Sequence, residues 1–388
     1  MVSTRVACNP HSLLSIDVGT NNEKLLKDPF YTGIRRKRVR GPAYDLLLDY
    51  FMIACTKRFG RNVLIQFEDF GNLNAYRLLD KYKQQYNMFN DDIQGTAAVV
   101  VAGLLTTTRV TKKKFNEYII VFFGAGGAAT GIAEMCVREM VEEGLTVEEA
   151  CANIYMMDID GLITKNRIST LVPRHLPFAK DMEDTKDLIE VIEAVKPHAI
   201  VGASTKGGAF TEAVIKTMAK INERPIIFAL SNPTSNAECT AEAAIRHTNG
   251  KVLFASGSPF ENVEYKGRIF KPGQGNNAFI FPGIGLGAVL FKSKHVTDKI
   301  FLLAARDVAN SDIRELSIKI AVTMGKYLYE HNLATLYPEP HDIELYIRQH
   351  IYTTDYQETV NRIYDWPAAD ARHGYPIPTL ERKSMEDE

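Results

Sequence analysis

Two pairs of adjacent acids stand at places where a chain could do chemistry. Glu68 and Asp69 close the apolar segment VLIQFED, and Asp91 and Asp92 lie in FNDDIQGT, just ahead of a helix that starts near Gly95. Adjacent residues on an extended segment point to opposite faces, so neither pair must converge as a unit. Carboxylates at the ends of two segments can still meet at one point. Hard oxygen donors of this kind suit Mg²⁺ or Mn²⁺. A divalent cation would also remove the mutual repulsion of such a cluster in a low-dielectric cleft. The alternative is a set of helix caps and solvated loop acids, since Asn-Asp ahead of a helix is a good N-cap signal.

A second group is built on glycine. IIVFFGAGGAATGIAEM places Gly124, Gly126 and Gly131 directly after a predicted strand and at the start of a helix. Glycine serves where the chain turns tightly and where backbone must approach a pyrophosphate. The helix N-terminus then offers free N–H groups to phosphate. The next predicted strand ends in an acid, Asp158 of YMMDIDG, with Asp160 close by. A carboxylate there can accept hydrogen bonds from ribose hydroxyls and would repel a 2′-phosphate, which favours NAD over NADP. The gap between glycines and acid exceeds the usual 20 or so residues, so an extended helix must fill it. A glycine turn that binds nothing is the alternative. Asn232 in ALSNPT follows an apolar strand, where sheet carboxyl ends carry ligands. Asn276 and Asn277 in PGQGNNAFIFPG occupy a glycine-rich turn before a helix. The basic run Arg35, Arg36, Lys37, Arg38 and Arg40 reads as a solvated face or an intersubunit contact, with a localisation signal or an anion site as alternatives.

The elements that must position these residues alternate. YIIVFF at 118–123 is a strand, a helix follows over 127–143, and IYMM at 154–157 is a second strand. A helix over 184–195, the strand HAIVGAS, a helix near 210–221, the strand PIIFAL, a helix near 240–247 and the strand KVLFAS complete the middle of the chain. Such alternation argues for βαβ units and a parallel, doubly wound sheet. Earlier, helices over 43–58 and 71–86 flank a strand at 63–67; later, helices are expected near 283–296, 299–310 and 312–331.

Composition sets the bounds. The 388 residues carry 46 Lys plus Arg against 47 Asp plus Glu, a net charge of −1, which suggests neither a nucleic-acid nor a membrane-surface partner. With 45% hydrophobic and 24% charged residues the chain is an ordinary globular one. The longest apolar run, Thr96 to Leu105, falls short of the 18 or so residues a membrane span needs. The opening MVSTRVACNP lacks a secretory apolar stretch; being acid-free with one Arg, it carries only a faint transit-peptide character. Cys8, Cys55, Cys136, Cys151 and Cys239 form no C-x-x-C pair and read as reduced and intracellular.

Taken together, SIDVGTNNEKLLKDPFYTGIR, RNVLIQFEDFGNLNA, FNDDIQGTAAVVVAGLL, FFGAGGAATGIA, INERPIIFALSNPTSNAECTAE, LFASGSPF and PGQGNNAFIFPG resemble, in order, the malic enzymes, and most the NAD-dependent animal forms. The resemblance implies oxidative decarboxylation of L-malate to pyruvate and CO₂ with NAD or NADP and a divalent metal, Mg²⁺ or Mn²⁺. It assigns Glu68, Asp69 and Asp92 as metal ligands and Asp91 as an acid that assists the catalytic base. It assigns Asn232 and Asn277 to the substrate. The cofactor site comprises Gly124, Ala125, Gly126, Ala128, Ala129 and Asp158, together with Asn232. His175 falls where NADP-dependent forms tend to carry Lys. The resemblance further implies a homo-oligomer, dimer or tetramer, in the mitochondrial matrix, with the cytoplasm as the alternative.

Two departures matter. Family members begin well over a hundred residues earlier, in a part that supplies a tyrosine acid and a substrate arginine, and they carry the base lysine just upstream of IDVGT. No lysine occurs here between Met1 and Thr20. Some 15 to 20 family residues between AARDVAN and DIRELS are also missing. The chain therefore reads as a truncated form of an active enzyme, or else as an inactive NAD- and metal-binding paralogue or regulatory subunit. A dehydrogenase acting on another 2-hydroxy acid is the third reading. The expected architecture is a Rossmann-type NAD-binding domain over 91–276 and a discontinuous, partly helical substrate and metal domain over 1–90 and 277–330. A tail over 331–388 would serve oligomer contacts.

Overall fold

The computed structural model describes residues 14–310 and 315–351. In chain order, α1 (Glu23–Lys27) and α2 (Pro42–Phe59) precede the strand β1 (Ile65–Phe67), followed by α3 (Asn72–Tyr82), β2 (Met88–Asn90) and α4 (Thr96–Thr111). The central run is β3 (Ile120–Phe123), α5 (Gly127–Glu142), α6 (Val147–Ala152), β4 (Ile154–Asp158), β5 (Gly161–Leu162), α7 (Leu188–Val195), β6 (Ala199–Gly202), α8 (Glu212–Ile221), β7 (Ile226–Ala229), α9 (Ala241–His247) and β8 (Leu253–Ser256). Three short strands come next: β9 (Val263–Tyr265), β10 (Arg268–Phe270) and β11 (Gly273–Gln274). The helices α10 (Phe281–Leu290), α11 (Asp298–Ala309), α12 (Leu316–Glu330) and α13 (Ile343–Gln349) close the described chain.

Seven strands form one sheet in the order β11-β8-β7-β6-β3-β4-β5, parallel except for β5. The expected doubly wound sheet is therefore present, with β5 reversed at one edge. Strand alternation sends side chains to two cores. Ile120, Phe122, Ile154, Met156, Val201 and Phe228 pack with α4, α5 and the helices from α10 onward. Val121, Met157, Ile200, Ile227 and Ala229 pack with α7, α8 and α9. A third core joins Leu48 and Met52 of α2 to Leu78, Leu79 and Tyr82 of α3 beneath the parallel pair β1–β2.

The chain from Asp91 through α4 is a continuous 21-residue helical stretch, apolar and long enough by composition to cross a membrane. It is longer than the apolar run visible in the sequence. Ala97, Ala98, Val100, Val101 and Leu104 are nonetheless buried in the chain's own core, packed against α5 and α11. The helices from α10 to α13 share that core with α4. Of the segment expected as a tail, residues 352–388 lie outside the described residues. Its first part folds back within the chain, with Ala334 and Ile347 buried in the same core.

Candidate functional site

Parallel pairing of β1 with β2 aligns Phe67 with Asn90, so the residues that follow, Glu68 and Asp91, leave the pair side by side. The chain after β2 makes one π-helical turn, Asp91–Gly95, before α4 begins. Wide turns of this kind recur at functional sites. Asn90 caps it, accepting from the Ile93 amide at 3.1 Å, which is the capping role Asn-Asp can play. The Asp92 Oδ2 accepts the Asp69 amide at 2.7 Å, and Asp69 is held at φ +60°. The four acids are thus gathered by pairing and by one long-range hydrogen bond, not by neighbouring positions in sequence.

Asp91 is 1% exposed. Its Oδ2 accepts Nδ2 of Asn277 at 2.7 Å, and its Oδ1 has no hydrogen-bond partner. Burial, with the charges of Glu68 and Asp92 added, pushes this carboxyl up to about 8. Asp92 and Glu68 are also raised, first by desolvation; the Asp69 amide opposes this at Asp92, and Gln66 opposes it at Glu68, whose residue is otherwise exposed. Glycine at 95 leaves Asp91 its place, because a Cβ there would stand 1.9 Å from Asp91 Oδ1 and the carboxyl or the turn would have to shift. Among the described residues no group of three His, Cys, Asp or Glu side chains stands ready around a common centre.

The glycine loop lies at the carboxyl end of β3, where the strand order reverses between β3 and β6. Open α/β sheets take ligands at such a point. Gly124 adopts φ +118° and donates its amide to Met157 O; a Cβ would meet Ala203 O at 2.4 Å. Gly126 differs: nothing of the chain lies within 4 Å of a Cβ built there, so internal packing does not require the glycine. The space in front of it remains open to a ligand. Ala125, Ala128 and Ala129 line the turn and the first turn of α5, Ala129 being fully buried. Gly131 serves yet another purpose, since a Cβ there would approach the Tyr76 hydroxyl to 2.8 Å.

Asp158 ends β4 as expected, but it is not free. Arg167 grips both of its oxygens, at 2.8 and 2.7 Å, and also donates to the carbonyls of Gly161 and Leu162. The repulsion of a 2′-phosphate expected from Asp158 is therefore offset by a neighbouring guanidinium. Asp160 keeps more of its charge exposed, with Arg167 and Lys186 at 3.9 and 3.7 Å. His175 approaches the glycine loop, its Nε2 3.2 Å from Thr130 Oγ1, and burial lowers its basicity.

Asn232 follows β7, and its Oδ1 accepts from Ser258 Oγ beyond β8. Asn277 reaches the acids through Asp91, while Asn276 caps the turn by accepting from Ala278. Behind Asn232 the fully buried Glu238 accepts from the amides and hydroxyls of both Ser204 and Ser231, fixing the loops after β6 and β7. Sequence reasoning missed Glu238, Arg167 and Ser258, because their roles depend on pairings across 9 to 34 positions with no spacing signature. The basic run Arg35 to Arg40 lies on the surface, its basic residues exposed.

The fold defines a Rossmann-type dinucleotide-binding protein, with a cluster of carboxylates beside the carboxyl edge of its sheet. Comparison with known proteins agrees. The model of the malic enzyme NAD binding domain matches residues 93–329, and that of the malic enzyme N-terminal domain matches 4–83. The chain belongs to the malic enzyme family. It is 59% identical over 387 residues to the mitochondrial NAD-dependent malic enzyme of Ascaris suum, covering 96% of this chain and 60% of that protein. It is 50% identical over 378 residues to the mitochondrial NADP-dependent malic enzyme of Homo sapiens, covering 92% and 62%. The chain thus spans about 60% of the length of these curated relatives. Among solved structures, the malic enzyme of Pyrococcus horikoshii shares the fold at a TM-score of 0.64 and 24% identity, over 84% of this chain and 74% of that one. The Entamoeba histolytica malic enzyme does so at 0.61 and 23%, over 79% and 61%.

Proposed function

We propose that this chain carries the metal- and dinucleotide-binding part of an NAD-dependent malic enzyme, which oxidatively decarboxylates L-malate to pyruvate and CO₂. The observation that carries the reading is the buried Asp91, with an unpartnered Oδ1 and the charges of Glu68 and Asp92 acting on it, while Asp69 is tied to Asp92 through its amide. Neighbouring carboxylates such as Glu68, Asp91 and Asp92, whose proton affinity burial raises, suit a hard divalent ion. Glu68, Asp69 and Asp92 would hold Mg²⁺ or Mn²⁺, with their side chains turned onto it. When bound, such an ion supplies charge compensation and polarises hydroxyl and 2-oxo oxygens.

The chain's own residues do the rest. Asp91 Oδ1 can hold or pass a proton, while Asn277 fixes the carboxyl group through Oδ2. Ser258 holds the Asn232 Oδ1, which leaves the amide Nδ2 to donate to a substrate carboxylate. The α5 N-terminus and the open face of Gly126 suit a pyrophosphate. NAD is favoured over NADP by the exposed Asp160, while Arg167, by neutralising Asp158, works against that preference. The relative at 59% identity is named NAD-dependent, although others at 50% are named NADP-dependent. The names of these relatives support a mitochondrial site, with the cytoplasm as the alternative, and the family resemblance supports a homo-oligomer.

A second reading, binding without turnover, is favoured by one feature: no lysine lies between Met1 and Thr20, where the resemblance puts the base. The test mixes the purified chain with L-malate, Mn²⁺ and NAD, then with NADP, and follows reduced nicotinamide and pyruvate. Stoichiometric formation of both supports the enzyme. Binding of Mn²⁺ and NAD without turnover supports the second reading. Binding of neither overturns both.

A further inference from the structure

One set of contacts joins the acid cluster to the glycine loop and belongs to neither. Helix α3 starts three residues after Asp69. Tyr76, on α3, donates its hydroxyl to the carbonyl of Gly127, the first residue of α5, at 2.7 Å. The missing side chain at Gly131 makes room for that hydroxyl. Arg174 then lies over the Tyr76 ring, its guanidinium carbon 4.2 Å from the centroid. The same guanidinium pairs with Asp80 of α3 and with Glu134 of α5, the latter at 2.7 Å. The next residue, His175, rests against Thr130 of the cofactor helix.

We propose that Tyr76 and Arg174 form a clasp through which cation binding at the acids tightens dinucleotide binding at the glycine loop, and the reverse. The inference rests on the reading of Glu68, Asp69 and Asp92 as cation ligands and of the α5 turn as the dinucleotide site. The physical argument is mechanical. Closing Asp69 onto a cation draws on the chain that leads into α3, and an α-helix moves as a rod. The clasp fastens that rod to α5 at a hydroxyl–carbonyl bond, a cation–π contact and two ion pairs. Exposed ion pairs alone contribute little, but here both carboxylates and the ring share one guanidinium between two helices, and the hydroxyl of that ring bonds the Gly127 carbonyl. Displacement of α3 therefore moves the α5 N-terminus and, through Arg174, the backbone that carries His175. Arg174 and Tyr76 are positioning residues, since neither touches the reacting atoms. Coupling of this kind must be reciprocal.

The test is a binding cycle on the full 388-residue chain. NADH affinity is measured by calorimetry with and without saturating Mn²⁺, and Mn²⁺ affinity with and without NADH. In the unmodified chain each ligand is expected to tighten the other by the same factor, about fivefold or more. Arg174→Gln should bring that factor close to one. Tyr76→Phe keeps the ring beneath the guanidinium and loses only the hydroxyl, so it should lower the factor in part. Where Arg174→Gln fails to fold, Tyr76→Phe decides the matter, and an unchanged factor there overturns the clasp. An unchanged factor in Arg174→Gln also overturns it. Two ligands that bind the unmodified chain independently overturn the clasp and leave the proposed function standing. A chain that binds neither ligand overturns both.

Discussion

Gly95→Ala adds one methyl group where the structure leaves no room for it. The new Cβ would stand 1.9 Å from Asp91 Oδ1 and 2.8 Å from its carboxyl carbon, with Asn277 Cβ at 3.4 Å on the far side. Either the Asp91 carboxyl swings away or the π-turn shifts. A swing gives up the hydrogen bond from Asn277 to a buried acid, about 1.5–3 kcal/mol. A backbone shift of the overpacking kind costs about 1–3 kcal/mol. The helix gains about 0.8–1.0 kcal/mol from losing glycine, so the net loss should be about 1–2 kcal/mol. Gly285→Ala, in α10, is the matched control, because its Cβ would meet only Leu64 Cδ2, at 3.9 Å. That variant should be neutral or up to about 1 kcal/mol more stable. Urea midpoints of the two variants, read beside Mn²⁺ affinity by calorimetry, check this. Gly95→Ala should lose stability and weaken Mn²⁺ binding tenfold or more, while Gly285→Ala should change neither for the worse. Equal stability and equal Mn²⁺ affinity in the two variants would refute the packing of Asp91 against Gly95.

Arg167→Gln frees the charge of Asp158 at the ribose end of the site, so NADPH affinity should fall several-fold more than NADH affinity; fluorescence titration of the two reduced cofactors gives the ratio. The Lys180 ammonium is buried, donates to the carbonyls of Cys151 and Ala152, and is pushed down to about 8, chiefly by desolvation. Its unfolded value is about 10.4. The folded state therefore binds fewer protons than the unfolded state between those values, and stability from this group rises with pH across that window, by about 3 kcal/mol at most. Lys180→Met lacks that gain, so the urea midpoint of the unmodified chain should pull ahead of the variant's as pH goes from 7.5 to 10. A constant difference over that range would count against the burial of the charge.

The parallel sheet was legible because YIIVFF, HAIVGAS and PIIFAL are short β-rich runs separated by amphipathic helices. Val121 and Phe122 then had to face opposite layers, and they do. The glycine turn was legible for the same reason, as it sits between a strand and a helix. The acids were visible as residue types, but their meeting was not. It depends on β2, three residues long, pairing with a strand 23 positions away. No local pattern encodes that register. Arg167 was invisible because a guanidinium nine positions past an acid has no preferred partner until the β4–β5 turn folds. Gly131 looked like part of the cofactor fingerprint, whereas its bare Cα faces Tyr76 from α3, a long-range contact. The short β9–β10 hairpin was missed because each arm has only three residues and the turn, Lys266 with Gly267 at positive φ, carries the signal alone.

The central claim is that the gathered acids hold one divalent cation beside a bound dinucleotide. The most direct measurement is a Mn²⁺ titration, followed by electron paramagnetic resonance, of the unmodified chain and of Asp92→Asn, both with saturating NADH and with folding checked by circular dichroism. One tight Mn²⁺ per chain, lost in Asp92→Asn while NADH still binds, is the expected result. The same Mn²⁺ affinity in both proteins would contradict it.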